Sequence, residues 1–278
     1  MSNIMDKSNT AIQTELAVSM DKQAVASAFG KAAKNYDKAA AFQRHVGHLL
    51  LDKLPHLHAV DNPKEVIDVG CGTGYFSAEL LKLGFKVTAA DLSAEMLAQA
   101  KQRCGDDCRY LHADAENLPV ADNSYDLAFS SLALQWCDDL SVPLNELKRV
   151  VRPGGMIFFT TLVDGSLDEL KKAWAQIDHY QHVNEFKAEN EIKVALAQTG
   201  LQIDKLIFSP IVTYYQSAVG LMKDLKGIGA THLQHKRQNV LFGRQTLNAL
   251  EQAYDVYRDE NNLLPATYQV CFGVLIND

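Results

Sequence analysis

Three glycines and two aspartates in the first half of the chain are the residues best spaced to hold a ligand. The glycines are Gly70, Gly72 and Gly74, in the stretch EVIDVGCGTGYFS that runs from Glu65 to Ser77. Val66 to Val69 is a short apolar run interrupted by one acid, Asp68, as a buried parallel strand reads. Residues 78–83 carry helical spacing. The glycines therefore sit at a strand-to-helix turn, where the missing side chains let the backbone approach a ligand closely.

The spacing narrows the ligand. A dinucleotide fingerprint needs glycine at the first, third and sixth positions of such a loop. Counted from Gly70, the fifth position is Gly74 and the sixth is Tyr75, and the lysine of a phosphate-binding loop is missing. The pattern suits a small zwitterion such as S-adenosylmethionine better than a pyrophosphate. Asp91 ends a second strand predicted over 85–90, where an acid can accept hydrogen bonds from both hydroxyls of an adenosine ribose. Its alternative role is to cap the helix expected over 94–102, but Ser93 can fill that place. Asp114 follows a third strand over 108–112. Alone it reads as a turn residue; in this order, behind the glycines and Asp91, it can accept from an adenine amino group while the backbone near Ala115 meets the ring edge.

The elements that position these residues follow the same rhythm. A helix is predicted from Asp21, with Gly30 as a break, and a second over 39–54, ended by Pro55. These N-terminal helices, within 21–55, either cross the ligand-binding end of the sheet or cover one of its faces. A fourth strand is expected over 125–131, a helix over 142–150, a strong turn at Arg152-Pro153-Gly154-Gly155 and a fifth strand over 156–162. Alternation of strand and helix argues for a doubly wound, mostly parallel α/β sheet. Beyond it come a helix over 166–177 with a Ser166–Glu169 capping box, a helix over 189–199 ended by Gly200, a sixth strand within 201–215 and a last strand over 268–276. The long separation between those strands predicts a C-terminal helical cap insertion over 218–265 that controls access to the site. Residues 1–20 read as a mobile extension before a single domain over 21–278.

Val66 to Gly74, Asp91, Asp114 and Arg152 to Gly155 together resemble the class I S-adenosylmethionine-dependent methyltransferases. The resemblance implies a seven-stranded Rossmann-like sheet whose last strand is antiparallel and lies between the fifth and sixth. Segments 26–37, Gln43-Arg44, Asp91-Leu92-Ser93, 132–137, 165–167, His182-Val183-Asn184 and 225–230 are similar to a narrower family, the malonyl-acyl-carrier-protein O-methyltransferases of biotin synthesis. Residues 134–136 are shared in part with trans-aconitate-type methyltransferases. The resemblance extends the cofactor-binding set to Gln43, Asp68, Gly70, Cys71, Gly72, Asp91, Leu92, Asp114, Ala115 and Ser131.

The implied reaction moves a methyl group from S-adenosylmethionine to the free carboxylate of malonyl-acyl-carrier protein or malonyl-CoA. Such a carboxylate, with a pKa of roughly 4, is already ionised and needs no general base. A cation or hydroxyl donor should hold it. Candidates are Tyr36, His182, Lys226 and Arg237, with Arg44 beside them; Tyr36 is favoured. The cationic stretch His232, His235, Lys236, Arg237 and Arg244 is the expected docking face for an acidic carrier protein. A methyltransferase of another small acid and a non-catalytic cofactor-binding protein are the rival classes.

Composition sets outer limits. The chain has 278 residues, 47% of them hydrophobic, enough for a core. A formal charge of −7 argues against a general nucleic-acid binder. No apolar run approaches the roughly 18–20 residues of a membrane span, and the five cysteines lack metal-ligand spacing. A cytoplasmic enzyme with reduced thiols is the expectation.

Overall fold

Short β-branched runs buried on both faces build the sheet. In β1 (Glu65–Val69), Val66 faces one core while Ile67 and Val69 face the other, all at most 1% exposed. This is the two-sided burial that parallel strands require. The computed structural model describes residues 21–54, 64–230 and 243–278. Among the described residues three helices precede β1: α1 (Lys22–Ala32), α2 (Tyr36–Ala39) and α3 (Ala41–Leu51). Then follow α4 (Tyr75–Lys82), β2 (Lys86–Asp91), α5 (Ala94–Cys104), β3 (Cys108–His112), β4 (Tyr125–Ser131), α6 (Ser141–Val150) and β5 (Val151–Val163). The chain closes with α7 (Asp168–Ala175), α8 (Glu189–Thr199), β6 (Gln202–Tyr215), α9 (Ala218–Gly227), α10 (Arg244–Tyr254) and β7 (Leu264–Ile276).

The strands form one seven-stranded sheet in the order β3-β2-β1-β4-β5-β7-β6. The first five are parallel, and β7 runs antiparallel to both its neighbours. One core packs Phe42, Leu80, Ala100, Trp174, Leu221 and Leu250 against the sheet; the other packs Leu144, Leu147, Ile192 and Leu196. Strand order reverses between β1 and β4, so the crevice beyond their carboxyl ends is where an open sheet of this kind takes a ligand.

Several expectations need correction. Gly30 does not break α1, because it is a packing position: a Cβ there would lie 2.6 Å from Glu95 Oε2. The helix expected over 39–54 is the shorter α3, since Ala39 belongs to the preceding α2 and the last helical residue is Leu51; Pro55, expected to end it, lies outside the described residues. Arg152 to Gly155 is not a free turn but an irregular part of β5. Arg152 Nη1 donates to Asp126 at 2.7 Å, and Asn277 N donates to Gly155 O at 2.9 Å. Ser166 does not cap α7: its hydroxyl bonds Val163 O and Gln269 O, and Glu169 is engaged by Thr267 instead. Strand β7 starts at Leu264, four residues early, so Pro265 belongs to the sheet and not to the inserted segment. Residues 1–20, expected as an extension, are outside the described residues.

Candidate active site

The glycine loop is drawn against β2. Gly70, Gly72 and Gly74 have φ of 73°, 54° and 75°, a region open to glycine and closed to most residues. Gly70 N and Cys71 N donate to Ala90 O at 2.8 and 3.0 Å. A Cβ on Gly70 would strike Ala133 at 2.2 Å, and one on Gly74 would strike Ala100 at 2.7 Å. At Gly72 the same direction is empty to 4 Å, so the middle of the loop faces open space. Asp91 fastens it there: its two carboxylate oxygens accept Gly72 N and Ser93 N, each at 2.8 Å. Ser93 Oγ, in turn, caps α5 by accepting Met96 N.

Two hollows meet at this loop, and a third adjoins them at Tyr36. The first, of about 830 Å³, runs from Gly70 and Gly72 past Asp91 and Leu92 to Asp114, Ala115 and Ser131. Helix α1 roofs it with Val25 and Phe29, whereas α3 packs Phe42, Val46 and Leu50 into the core on one face of the sheet, so each of the two expected placements holds for one helix. Lys22 Nζ donates to Asp114 at 2.6 Å and to Glu116 at 2.5 Å. Burial alone would lower the Lys22 pKa, but these two acids outweigh it and raise it.

The second hollow, of about 460 Å³, lies on the other side of the loop and is lined by Gln43, Arg44, Asp68 and Tyr75. Asp68 is 2% exposed and accepts Ser77 Oγ at 2.6 Å. Burial, with the charge of Asp91 adding to it, pushes its carboxyl up to about 7 despite that bond. Burial likewise raises Asp91, against the backbone donors that hold it. Arg44 is fixed by donating to Asp37 O at 2.6 Å.

The third hollow, of about 650 Å³, is lined by Phe29, Phe42, Leu162, Leu167, Val183 and Tyr268, with Gln43, Gln135, His182 and Asn184 as its polar groups. No lysine or arginine is among its described lining residues. Burial raises the Tyr36 hydroxyl well above its ordinary pKa, with the charges of Asp91 and Asp37 adding to the shift, so it stays a neutral donor. Among the described residues Tyr36 is common to all three hollows.

These groups fit S-adenosylmethionine. Asp91 and Asp114 keep lone pairs for ribose hydroxyls and an adenine amino group. Asp68 and Arg44 line one hollow and have the charge signs that would suit the ammonium and carboxylate of an amino-acid end, and the bare Gly72 leaves room beside them. Gln43 Oε1 is buried with no partner, an acceptor left over on the wall between the second and third hollows.

A methyltransferase domain model matches residues 67–159. The chain is 44% identical over 262 residues to the malonyl-[acyl-carrier protein] O-methyltransferase of Yersinia pestis, covering 94% of each. It is 41% identical over 260 residues to the biotin biosynthesis bifunctional protein BioHC of Cellvibrio japonicus, covering 94% of this chain and 51% of that protein. The crystal structure of BH2331 from Bacillus halodurans C-125, described as a methyltransferase, superposes with a TM-score of 0.57 at 15% identity, over 83% of this chain and 97% of that one. The chain belongs to the malonyl-[acyl-carrier protein] O-methyltransferase family. Its sheet is the class I methyltransferase sheet, with β7 between β5 and β6.

The site of this O-methyltransferase family member gathers most of the residues named from sequence. Gly70, Gly72, Asp91, Leu92, Asp114, Ala115 and Ser131 line the first hollow, and Gln43, Asp68 and Cys71 the second. Tyr36 and His182 border the third; His182 is stacked on Trp174 at 3.7 Å and bonded to Asp178 at 2.7 Å. Lys226 is exposed on the outer side of α9, where its neighbours Leu225 and Ile228 line the hollow and it does not. Arg44 belongs to the second hollow and not the third. Arg237 lies outside the described residues. Sequence reasoning missed Lys22, because its partners are 92 and 94 residues away and no local pattern links them. It also missed the wall formed by Phe29 edge-on to Trp136 at 5.3 Å. No helix among the described residues is long and apolar enough to cross a membrane.

Proposed function

We infer that this protein converts the free carboxylate of a malonyl thioester to its methyl ester, with S-adenosylmethionine as donor, as an early step of biotin synthesis. The observation that carries the reading is the chamber beside the cofactor cleft, walled by apolar side chains and furnished only with neutral or imidazole donors among its described residues. When bound, S-adenosylmethionine supplies an electrophilic methyl group on a sulfonium. The chain then has to bring an ionised carboxylate into line with it and strip water from it. Orientation of this kind can supply about 7–11 kcal/mol.

Phe29, Leu132 and Trp136 line both the cofactor cleft and the chamber and exclude water between them. Tyr36 donates its hydroxyl to a carboxylate oxygen, and its raised pKa keeps that proton in place. His182 and Asn184 border the same chamber. A neutral holder such as Tyr36, the candidate favoured from sequence, has a chemical advantage over a lysine or arginine. A tight ion pair would draw charge from the attacking oxygen and stabilise the reactant over the uncharged ester; a hydroxyl orients it with less loss of nucleophilicity. The helical segment between β6 and β7 serves as the cap: Leu225, Ile228 and Ala230 close one side of the chamber.

The malonyl group is presented on a carrier protein rather than on free coenzyme A, as the names of the relatives suggest. The test is transfer of labelled methyl to malonyl-carrier protein, malonyl-CoA and trans-aconitate by the purified chain. A malonyl methyl ester on the carrier in preference to the other two is the expected product. Transfer to trans-aconitate alone would move the chain to the free-acid methyltransferases, and cofactor binding without transfer to any of them would make it a binding protein.

A further inference from the structure

We propose that the seam between the α1–α2 turn and α9 is the surface on which an acidic protein partner docks; resting on the proposed function, that partner is the carrier that presents the thioester. Five lysines lie on the elements that form it: Lys31, Lys34 and Lys38 on the α1–α2 side, Lys223 and Lys226 on α9. All five are exposed. None forms an ion pair among the described residues, although the chain carries a net charge of −7 and its other lysines include several paired ones, such as Lys22, Lys82 and Lys172.

Two acids lie among them in sequence, Asp37 and Asp224. Asp37 accepts Thr73 Oγ1 at 2.7 Å and pairs with Arg103, which leaves Asp224 on α9 as a carboxylate set against the five lysines. The seam therefore keeps a net positive charge. Unpaired cations are costly to gather, by mutual repulsion, and they gain most when an opposite surface meets them.

Position links this surface to the chamber. The two sides touch closely: a Cβ on Gly227 would lie 2.6 Å from Ala39 Cβ, and one on Gly229 would lie 2.9 Å from Ala28 O. Phe29 and Tyr36 on one side, Leu225 and Ile228 on the other, face the chamber. Lys223 and Lys226 stand three apart on the opposite face of α9, the spacing that makes helix neighbours. A partner seated on these lysines lies directly outside the chamber wall, where a flexible arm from it reaches inside. The protein partner is favoured over nucleic acid because the whole chain is acidic, which would repel a polyanion beyond the patch.

The test is the combined variant Lys31→Glu, Lys34→Glu, Lys223→Glu, compared with Lys205→Glu on β6, at the far end of the sheet. KM for malonyl-carrier protein should rise about tenfold in the combined variant, while kcat/KM for the uncharged-arm substrate malonyl-pantetheine stays within about twofold. For the unmodified protein, kcat/KM on the carrier should fall as salt is raised from about 0.05 to 0.3 M, and the combined variant should lose most of that dependence. Affinity for the carrier without its malonyl group, read by fluorescence anisotropy, should fall in parallel. Equal losses on both substrates, or unchanged carrier affinity, would overturn the docking surface. Failure of the unmodified protein to methylate either thioester would overturn the proposed function, and the anisotropy measurement would still decide the surface.

Discussion

Asp91 holds Gly72 in place: one carboxylate oxygen accepts the Gly72 N–H at 2.8 Å, across 19 residues of chain. The bond ties the turn after β1 to the end of β2. It makes the aspartate a brace for the loop, and we propose that its remaining lone pairs accept from a bound ribose. Replacing it with asparagine removes the charge and puts an amide donor against one of the two backbone N–H groups. Asp91→Asn should weaken binding of S-adenosylhomocysteine at least tenfold by calorimetry, with a loss of roughly 1.5–3 kcal/mol, the range for hydrogen bonds to a charged group.

Tyr36 stands where the hollows meet, and its role divides cleanly in kinetics. Tyr36→Phe keeps the ring that packs 6.4 Å from Phe29 and removes only the donor. Turnover on malonyl-carrier protein should drop about tenfold or more, while the affinity for S-adenosylhomocysteine changes less than about threefold. A tenfold loss of cofactor affinity with intact turnover would place the hydroxyl on the wrong ligand.

Asp68 gives the protein a pH signature. Its carboxyl is raised from 3.8 to about 7 by burial, with Asp91 adding to the shift. Between about pH 4 and pH 7 the folded state therefore holds a proton that the unfolded state has lost. Its contribution to stability is full below pH 4 and is lost as pH rises through 7. Asp68→Asn keeps an acceptor for Ser77 and escapes that loss. The melting temperature of the variant minus that of the parent should climb from pH 4 to pH 7 and level off above it.

The same carboxyl couples cofactor binding to protons. An ammonium group beside it favours the ionised form, so binding near pH 7 should release a proton. Calorimetry in two buffers of different ionisation heat should detect the release, and Asp68→Asn should abolish it.

Lys22 spans Asp114 and Glu116 and pins the start of α1 over the first hollow. Lys22→Met keeps the length and removes both ion pairs. Cofactor affinity should fall about threefold to tenfold, and limited proteolysis should cut α1 sooner in the absence of cofactor. Cleavage rates equal to the parent would show that Val25 and Phe29 hold the helix without the lysine.

Legibility from sequence followed the range of each physical signal. The β1 loop, Asp91 and the limits of β4 were readable because a strand, its turn and its cap lie within about a dozen residues. Helix α8 was readable to its last residue because Gly200, at φ 64°, ends it in a conformation other residues resist. Pro265 misled because proline usually ends a strand. Here it sits where β7 pairs only with β6, before β5 joins at Gln269, so the missing N–H costs no ladder bond on that open side. Ser166 misled because its hydroxyl found Val163 and Gln269, the latter 103 residues away. The ion pairs of Lys22 were invisible for the same reason of distance.

Strand β6 pairs with β7 from Gln202↔Ile276 to Tyr215↔Leu264, with one irregularity between Ile203 and Lys205. The peptide between them thus leaves and re-enters the sheet at neighbouring points. A segment anchored in this way behaves as a replaceable cassette. Evolution can lengthen it, shorten it or exchange it for another without rethreading a strand, and so re-tailor the acid acceptor while the donor side stays untouched.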